Sequence, residues 1–165
     1  MRYTETMGQS TNAVVTPLRN RAPGRPPLRF RSCGASLGLT ATQTPHLVSR
    51  IESGLPFKAL ESLAAQSGLT ISVIAPVLGI PERTLARRKV AGKFSPHESE
   101  RLWRVSTVFE RAVELFEGDV AGAVKWLTTP QKALTRQTPL AYLRTELGAR
   151  EVENLIGQLE YGVFA

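Results

Sequence analysis

An all-α protein is predicted by three features of the sequence. Apolar residues recur at three- and four-residue spacing from residue 44 onward, cap residues and glycine stops punctuate those runs, and no alternating stretch long enough for a strand occurs before the final Val163-Phe164-Ala165. The expected architecture is a helix-turn-helix bundle joined by a long helix to a small C-terminal helical domain.

The 165 residues are 42% hydrophobic and 21% charged, enough apolar material for a core. No run approaches the roughly 20 apolar residues of a spanning helix, and residues 1–11 lack the apolar segment of a secretory signal, so no membrane partner is expected. The single cysteine, Cys33, leaves no internal disulfide and fits a reducing compartment. The net charge of +7 is unevenly spread. Residues 1–35 hold six arginines against Glu5, residues 81–104 hold seven basic groups against three acidic, and residues 105–165 hold six basic against eight acidic. A polyanion partner is expected for the first two regions and a different partner for the last.

Residues 1–36, with Pro17, Pro23, Pro26 and Pro27 and little apolar order, read as a disordered basic arm. Within it, Pro23-Gly24-Arg25-Pro26 resembles the core of an AT-hook, although a plain basic tail adding salt-sensitive affinity accounts for it more simply. Thr44-Pro45 opens a first helix stopped by Gly54, and Phe57, Leu60, Leu63 and Ala64 mark a second ending at Gly68. Thr70 precedes a segment over 71–78 ended by Gly79, and Pro81 opens another running to about Val90. Ser95-Pro96-His97-Glu98 is a capping box with proline at the first helical position, launching a long helix through Leu102, Val105, Phe109, Val113 and Phe116. Gly118-Asp119 breaks it, with Asp119 expected to cap the next helix. Short helices follow around Trp126 and after Thr138-Pro139, and a last helix over 151–161 carries Val152, Leu155, Ile156 and Leu159. Trp103 and Trp126 are expected in the core. The expected domains are the arm at 1–36, a DNA-binding unit at 37–104 and a C-terminal unit at 105–165.

Ala75 and Gly79 have the spacing of a helix-turn-helix: a small residue where the helices cross and a glycine four positions later. Ile74, Leu78, Ile80 and Leu85 fill the buried positions around them. The second helix then displays Glu82, Arg83, Thr84, Arg87, Arg88 and Lys89, with Lys93 beyond, a set able to hold phosphates and, through arginine, to bond guanine. Pro76 falls inside the first helix, near enough its start for a kink to be tolerated, and Arg88 stands where an apolar residue normally packs inward.

No catalytic residue, metal site or cofactor site is assigned. The histidines are His46 and His97, both at helix starts, and the one aspartate is the loop residue Asp119. There is no CxxC, HExxH, phosphate-cradling glycine loop or nucleophile elbow. Glu98 and Glu100, two apart on a helix, point to different faces. The chain is not expected to be an enzyme.

Three C-terminal runs resemble the toxin-binding domain of the Xre/MbcA/ParS antitoxin family: Lys125-Trp-Leu-Thr-Thr-Pro-Gln-Lys-Ala-Leu, Thr138-Pro-Leu-Ala-Tyr-Leu with Glu146-Leu-Gly-Ala, and Tyr161-Gly-Val-Phe-Ala. Gly79-Ile-Pro-Glu-Arg-Thr-Leu-Ala-Arg-Arg-Lys and Ser95-Pro-His-Glu-Ser-Glu-Arg-Leu-Trp-Arg are similar to that family's Xre-type helix-turn-helix and linker helix. The resemblance spans roughly residues 55–165; Pro76 and Pro81 depart from the family pattern. It implies a bacterial cytoplasmic antitoxin that dimerises, represses its own operon by binding operator DNA, and holds a RES-domain, NAD-consuming toxin inactive with its C-terminal segment.

That segment offers Arg150, Leu155, Gln158, Leu159, Tyr161, Gly162, Val163, Phe164 and Ala165 for toxin contact, while Trp126 to Leu147 is expected to build a scaffold. Large apolar residues this close to a chain end need a dock. From residue chemistry alone, folding back onto the domain and anchoring a partner are equally good accounts, and the resemblance favours the partner. Arg144 and Arg150 either meet acidic groups of the toxin or stay solvated. The competing function is a stand-alone helix-turn-helix transcription regulator whose C-terminal helices only dimerise, which the absence of an adjoining toxin gene would favour.

Overall fold

A computed structural model describes residues 34–39 and 44–162. The expectations for residues 1–33, including the AT-hook-like run, and for Val163, Phe164 and Ala165 lie outside the described residues. Among the described residues the fold is all-α and has no strand. Its helices are α1 (Thr44–Ser53), α2 (Phe57–Ser67), α3 (Ile71–Val77), α4 (Glu82–Ala91), α5 (Pro96–Leu115), α6 (Val120–Thr128), α7 (Pro139–Tyr142) and α8 (Glu146–Tyr161).

The long helix α5 organises the molecule. Its capping box is formed at both halves: Ser95 Oγ accepts from Glu98 N at 3.3 Å, and Glu98 Oε2 accepts from Ser95 N at 2.8 Å. Leu102, Val105, Val108, Phe109, Ala112 and Val113 are buried along its length, and it packs against α1, α2, α6 and α8. One continuous core therefore runs from Leu37 to Ile156. Leu63 and Ile74 of the N-terminal half and Leu127, Leu140 and Leu143 of the C-terminal half line the same small apolar gap beside Val105 and Phe109. The expected division at residue 104 falls inside α5, which serves both halves.

Three expectations are corrected. First, α8 begins at Glu146 rather than 151, because Thr145 supplies an N-cap whose Oγ1 accepts from Gly148 N at 3.0 Å. Gly148 is required there, since a Cβ would run into the Tyr142 carbonyl oxygen where α7 meets α8. Second, Pro76 is the sixth of seven residues in α3, near its end rather than its start. Ser72 and Pro76 are both exposed, so the Ser72 carbonyl that loses a helical donor to proline stays open to water. Third, residues 34–36 are packed, although they were expected in the arm. Gly34 N, Ser36 N and Ser36 Oγ donate to the buried Glu110 carboxylate of α5 at 3.0, 2.8 and 2.6 Å, and Leu37 and Leu39 enter the core beside them. Gln66 Nε2 closes this strap from α2 by bonding the Ala35 and Ser36 carbonyls.

Asp119 holds the N-cap position of α6, where its backbone carbonyl, not its side chain, accepts from Ala123 N. Trp103 and Trp126 both pack on the core, Trp126 against Phe116 with ring centroids 6.4 Å apart.

Charged pairs fix how α8 lies on α5. Arg104 and Arg111 are seven residues apart on α5, and Glu146, Glu153 and Glu160 recur every seven on α8. Arg104 reaches Glu146 at 2.8 Å, and Arg111 lies between Glu153 and Glu160 at 3.9 and 3.8 Å. Rising numbers pair with rising numbers, so the two helices run parallel. Partly exposed pairs of this kind contribute on the order of 1 kcal/mol each; what they add is register, with Gly148, Ala149, Val152 and Ile156 of α8 turned inward.

Candidate functional site

The helix-turn-helix is assembled from α3, the turn at Leu78-Gly79-Ile80, and α4. Ala75, Leu78 and Ile80 are buried, and Ile80 N donates to Ala75 O at 3.0 Å, which brings the chain back sharply. Gly79 sits at φ +64°, a left-handed conformation that a side chain strains. From α5, Arg101 Nη1 donates to the Leu78 carbonyl at 3.0 Å and tethers the turn to the long helix.

The structure brings the sequence-predicted residues of α4 to one region but not to one environment. Glu82, Arg83, Arg87 and Lys89 are exposed, as is Lys93 just beyond the helix, while Thr84 is half-buried. No residue of α4 is fully buried, and Leu85 packs partly on the core. Arg88 differs from the rest: it is half-buried and its Nε lies 2.7 Å from Glu98 Oε2. Its inward position, anomalous in the sequence, is thus explained by an acidic partner ten residues on, within the α5 capping box. Arg88 fastens α4 to α5. Sequence reasoning missed Val90, 91% exposed on the turn after Arg83 and Arg87, and missed the tether from Arg101. Seven-residue spacing from Arg83 gives Val90's placement; the tether joins residues 23 apart and leaves no local pattern.

Burial raises the Glu98 carboxyl pKa, but the hydrogen bond from Ser95 N and the contacts with Arg88 and the Ser95 hydroxyl outweigh it, and the net shift is downward. A lowered folded-state value means that the stability from Glu98 is complete above its ordinary value of 4.5 and is lost as pH falls through the folded one. Arg88→Ala is expected to cost about 1 kcal/mol at neutral pH, and its penalty should shrink as pH falls from 4.5 through the lowered folded-state value, where Glu98 protonates and the pair is lost. Urea midpoints of the two proteins across that range check this.

At the other end, α8 presents the predicted partner residues in two groups. Arg150, Gln158, Tyr161 and Gly162 are exposed, with Tyr161 at 83%. Arg150 Nε also meets Glu146 Oε1 at 3.2 Å. Leu155 and Leu159 are half-buried, and Leu155 packs on this protein's own core. The expected scaffold role of Leu147 is corrected: it is 71% exposed, projecting from the first turn of α8. The turn before α7 also shows Thr135 and Arg136 at φ +50° and +61°. Thr135 Oγ1 lies 2.9 Å from Tyr142 Oη and donates to the Leu134 carbonyl, which helps hold that unfavourable backbone.

Among the described residues no cluster of side chains could hold a metal ion, and no single helix is long and apolar enough to cross a membrane.

Two family models match this chain, one over each half of the fold. Residues 46–106, ending within α5, match the antitoxin Xre-like helix-turn-helix domain. Residues 111–162 match the antitoxin Xre/MbcA/ParS C-terminal toxin-binding domain. Neither is an enzyme family. The antitoxin Xre of Yersinia enterocolitica is 39% identical over 141 residues, covering 85% of this chain and 95% of that protein. The antitoxin Xre of Photorhabdus laumondii is 36% identical over 129 residues, covering 78% and 87%. That of Pseudomonas putida is 32% identical over 84 residues, half of each chain. With a helix-turn-helix, a toxin-binding domain and two relatives matched over most of their length, this chain belongs to the Xre antitoxins.

Proposed function

We propose that this antitoxin silences a RES-domain, NAD-consuming toxin by covering its active-site entrance with residues 155–165, and represses its own operon in the bacterial cytoplasm through α4. The observation that carries the first part is the end of α8. Its last residue, Tyr161, is almost fully exposed, and the sequence continues into Val163-Phe164-Ala165. An aromatic anchor beside further apolar residues is suited to filling a concave site. Titrating the purified toxin with this chain should stop NAD consumption near equimolar addition; undiminished turnover at excess would reject this part.

The DNA part rests on the exposed Arg83, Arg87, Lys89 and Lys93 beside the turn. Arginine can bond guanine from the major groove, and all four can hold phosphates. Glu82 can accept from cytosine, and Thr84 can reach a phosphate from the first turn of the helix. A homodimer would place two copies of α4 on the two halves of an operator.

The two arginines of α4 separate contact from support. Arg87→Ala is expected to weaken operator binding and reduce the slope of log affinity against log salt by about one per lost phosphate contact. Arg88→Ala is expected to change stability and leave that slope unaltered. Gel-shift titrations at several salt concentrations check both, and an unchanged Arg87→Ala titration would remove α4 as the DNA surface.

A further inference from the structure

The outward face of α8 carries a stripe that the shared core does not explain. Leu147, Asn154 and Tyr161 are spaced by seven residues, so they lie within about 40° of one another around the helix and span roughly 21 Å along it. All three are exposed, as are Glu151 and Gln158 between them. Among the described residues, Leu147 and Tyr161 are the large hydrophobic side chains that the C-terminal half leaves in solvent, at 71% and 83%. The opposite face is already occupied: Ala149, Val152 and Ile156 lie in the core, and the glutamates at 146, 153 and 160 meet the α5 arginines. The acidic residues of α8 are thus largely gathered along its seam with α5. An outer stripe with apolar ends and mainly uncharged polar residues between them has the make-up of an interface centre, where charge is depleted and aromatic residues are enriched.

We infer that the toxin docks along the whole outer face of α8, from Leu147 to Tyr161, with Leu147 as a second anchor about four turns from the blocking end. The occupant is the toxin rather than a second copy of this chain, because the stripe lies within the segment that matches a toxin-binding domain and leads directly into the segment assigned to the toxin's active site. This extends the proposed function by separating grip from blockage: the stripe supplies affinity, and the chain end supplies inhibition.

The test uses the full chain and its purified cognate toxin. Leu147→Lys and Asn154→Arg place charges on the stripe at positions facing solvent, where the fold tolerates them, and unchanged helical circular dichroism verifies this. Each is expected to weaken toxin binding about a hundredfold, the scale of a disrupted hot spot, with operator binding unchanged. Should Leu147→Lys disturb the first turn of α8, Asn154→Arg carries the test from mid-helix. Wild-type toxin affinity in both variants overturns the inference, as does a change confined to the oligomeric state of the free chain, which would make the stripe a contact between copies. If both bind normally while loss of residues 161–165 abolishes inhibition, the inference fails and the blocking role stands. If both lose a toxin that turns over no NAD, the docking surface stands and the assigned toxin chemistry fails.

Discussion

Glu110→Ala is expected to destabilise the protein by about 3 kcal/mol and to release the strap at residues 34–39 from α5. The carboxylate is 5% exposed and accepts two backbone N–H groups and one hydroxyl, at 2.6 to 3.0 Å. Hydrogen bonds to a charged acceptor contribute roughly 1.5–3 kcal/mol each when counted singly, and less than their sum when they share one acceptor. Removing it leaves three donors without a partner in a dry site, and the strap escapes that penalty by moving into water. Leu37 and Leu39 would then leave the core as well. Glu110→Gln retains one carbonyl acceptor and should fall between the two proteins. Urea denaturation gives the stability, and limited proteolysis within 34–43 reports the release. A Glu110→Ala protein within about 0.5 kcal/mol of wild type would show that the strap is held by its apolar contacts alone.

Much of this fold could be read from the sequence because it rests on short-range signals. The Ser95–Glu98 capping box, the Ala75/Gly79 spacing and the glycine stops each act over a few residues, and each appears where it was expected. The start of α8 was missed because Arg144-Thr145-Glu146 carries no proline to mark the cap, and because Leu147, which breaks the apolar periodicity, belongs to the outer face. The strap was missed for a different reason. Its partner Glu110 lies more than 70 residues away, and a glutamate within a mostly apolar helix face gives no hint of what it binds.

The proposed surfaces were legible to unequal degrees. The exposure of Arg83, Arg87 and Lys89 followed from charge on a helix of known register. Arg88 looked like the same kind of residue, and only its pairing with Glu98 distinguishes support from contact. On α8 the inward residues followed from periodicity, yet periodicity alone does not tell a half-buried leucine from a docking residue. Leu155 packs at home, whereas Leu147 is displayed.

Deleting residues 161–165 is the second change with a large expected effect. It removes Tyr161, the helix-ending Gly162 and the last three residues, and leaves Val152, Ile156 and the α5 seam as far as Glu160 in place. Of the described residues removed, Tyr161 is 83% exposed and Gly162 is exposed, so neither contributes much to folding. Stability should therefore change by less than about 1 kcal/mol, as for a surface alteration. The turn at Gly79 and the exposed α4 face are on the other half of the molecule, so operator affinity should be retained.

The most direct test of a blocking C-terminal segment is NAD turnover by the toxin, measured with increasing amounts of the wild-type and the truncated chain. The wild type is expected to abolish turnover near equimolar addition. The truncated chain is expected to leave most turnover intact even at amounts that still bind the toxin through the remaining stripe from Leu147 to Gln158. Full inhibition by the truncated chain at the wild-type concentration would contradict the account.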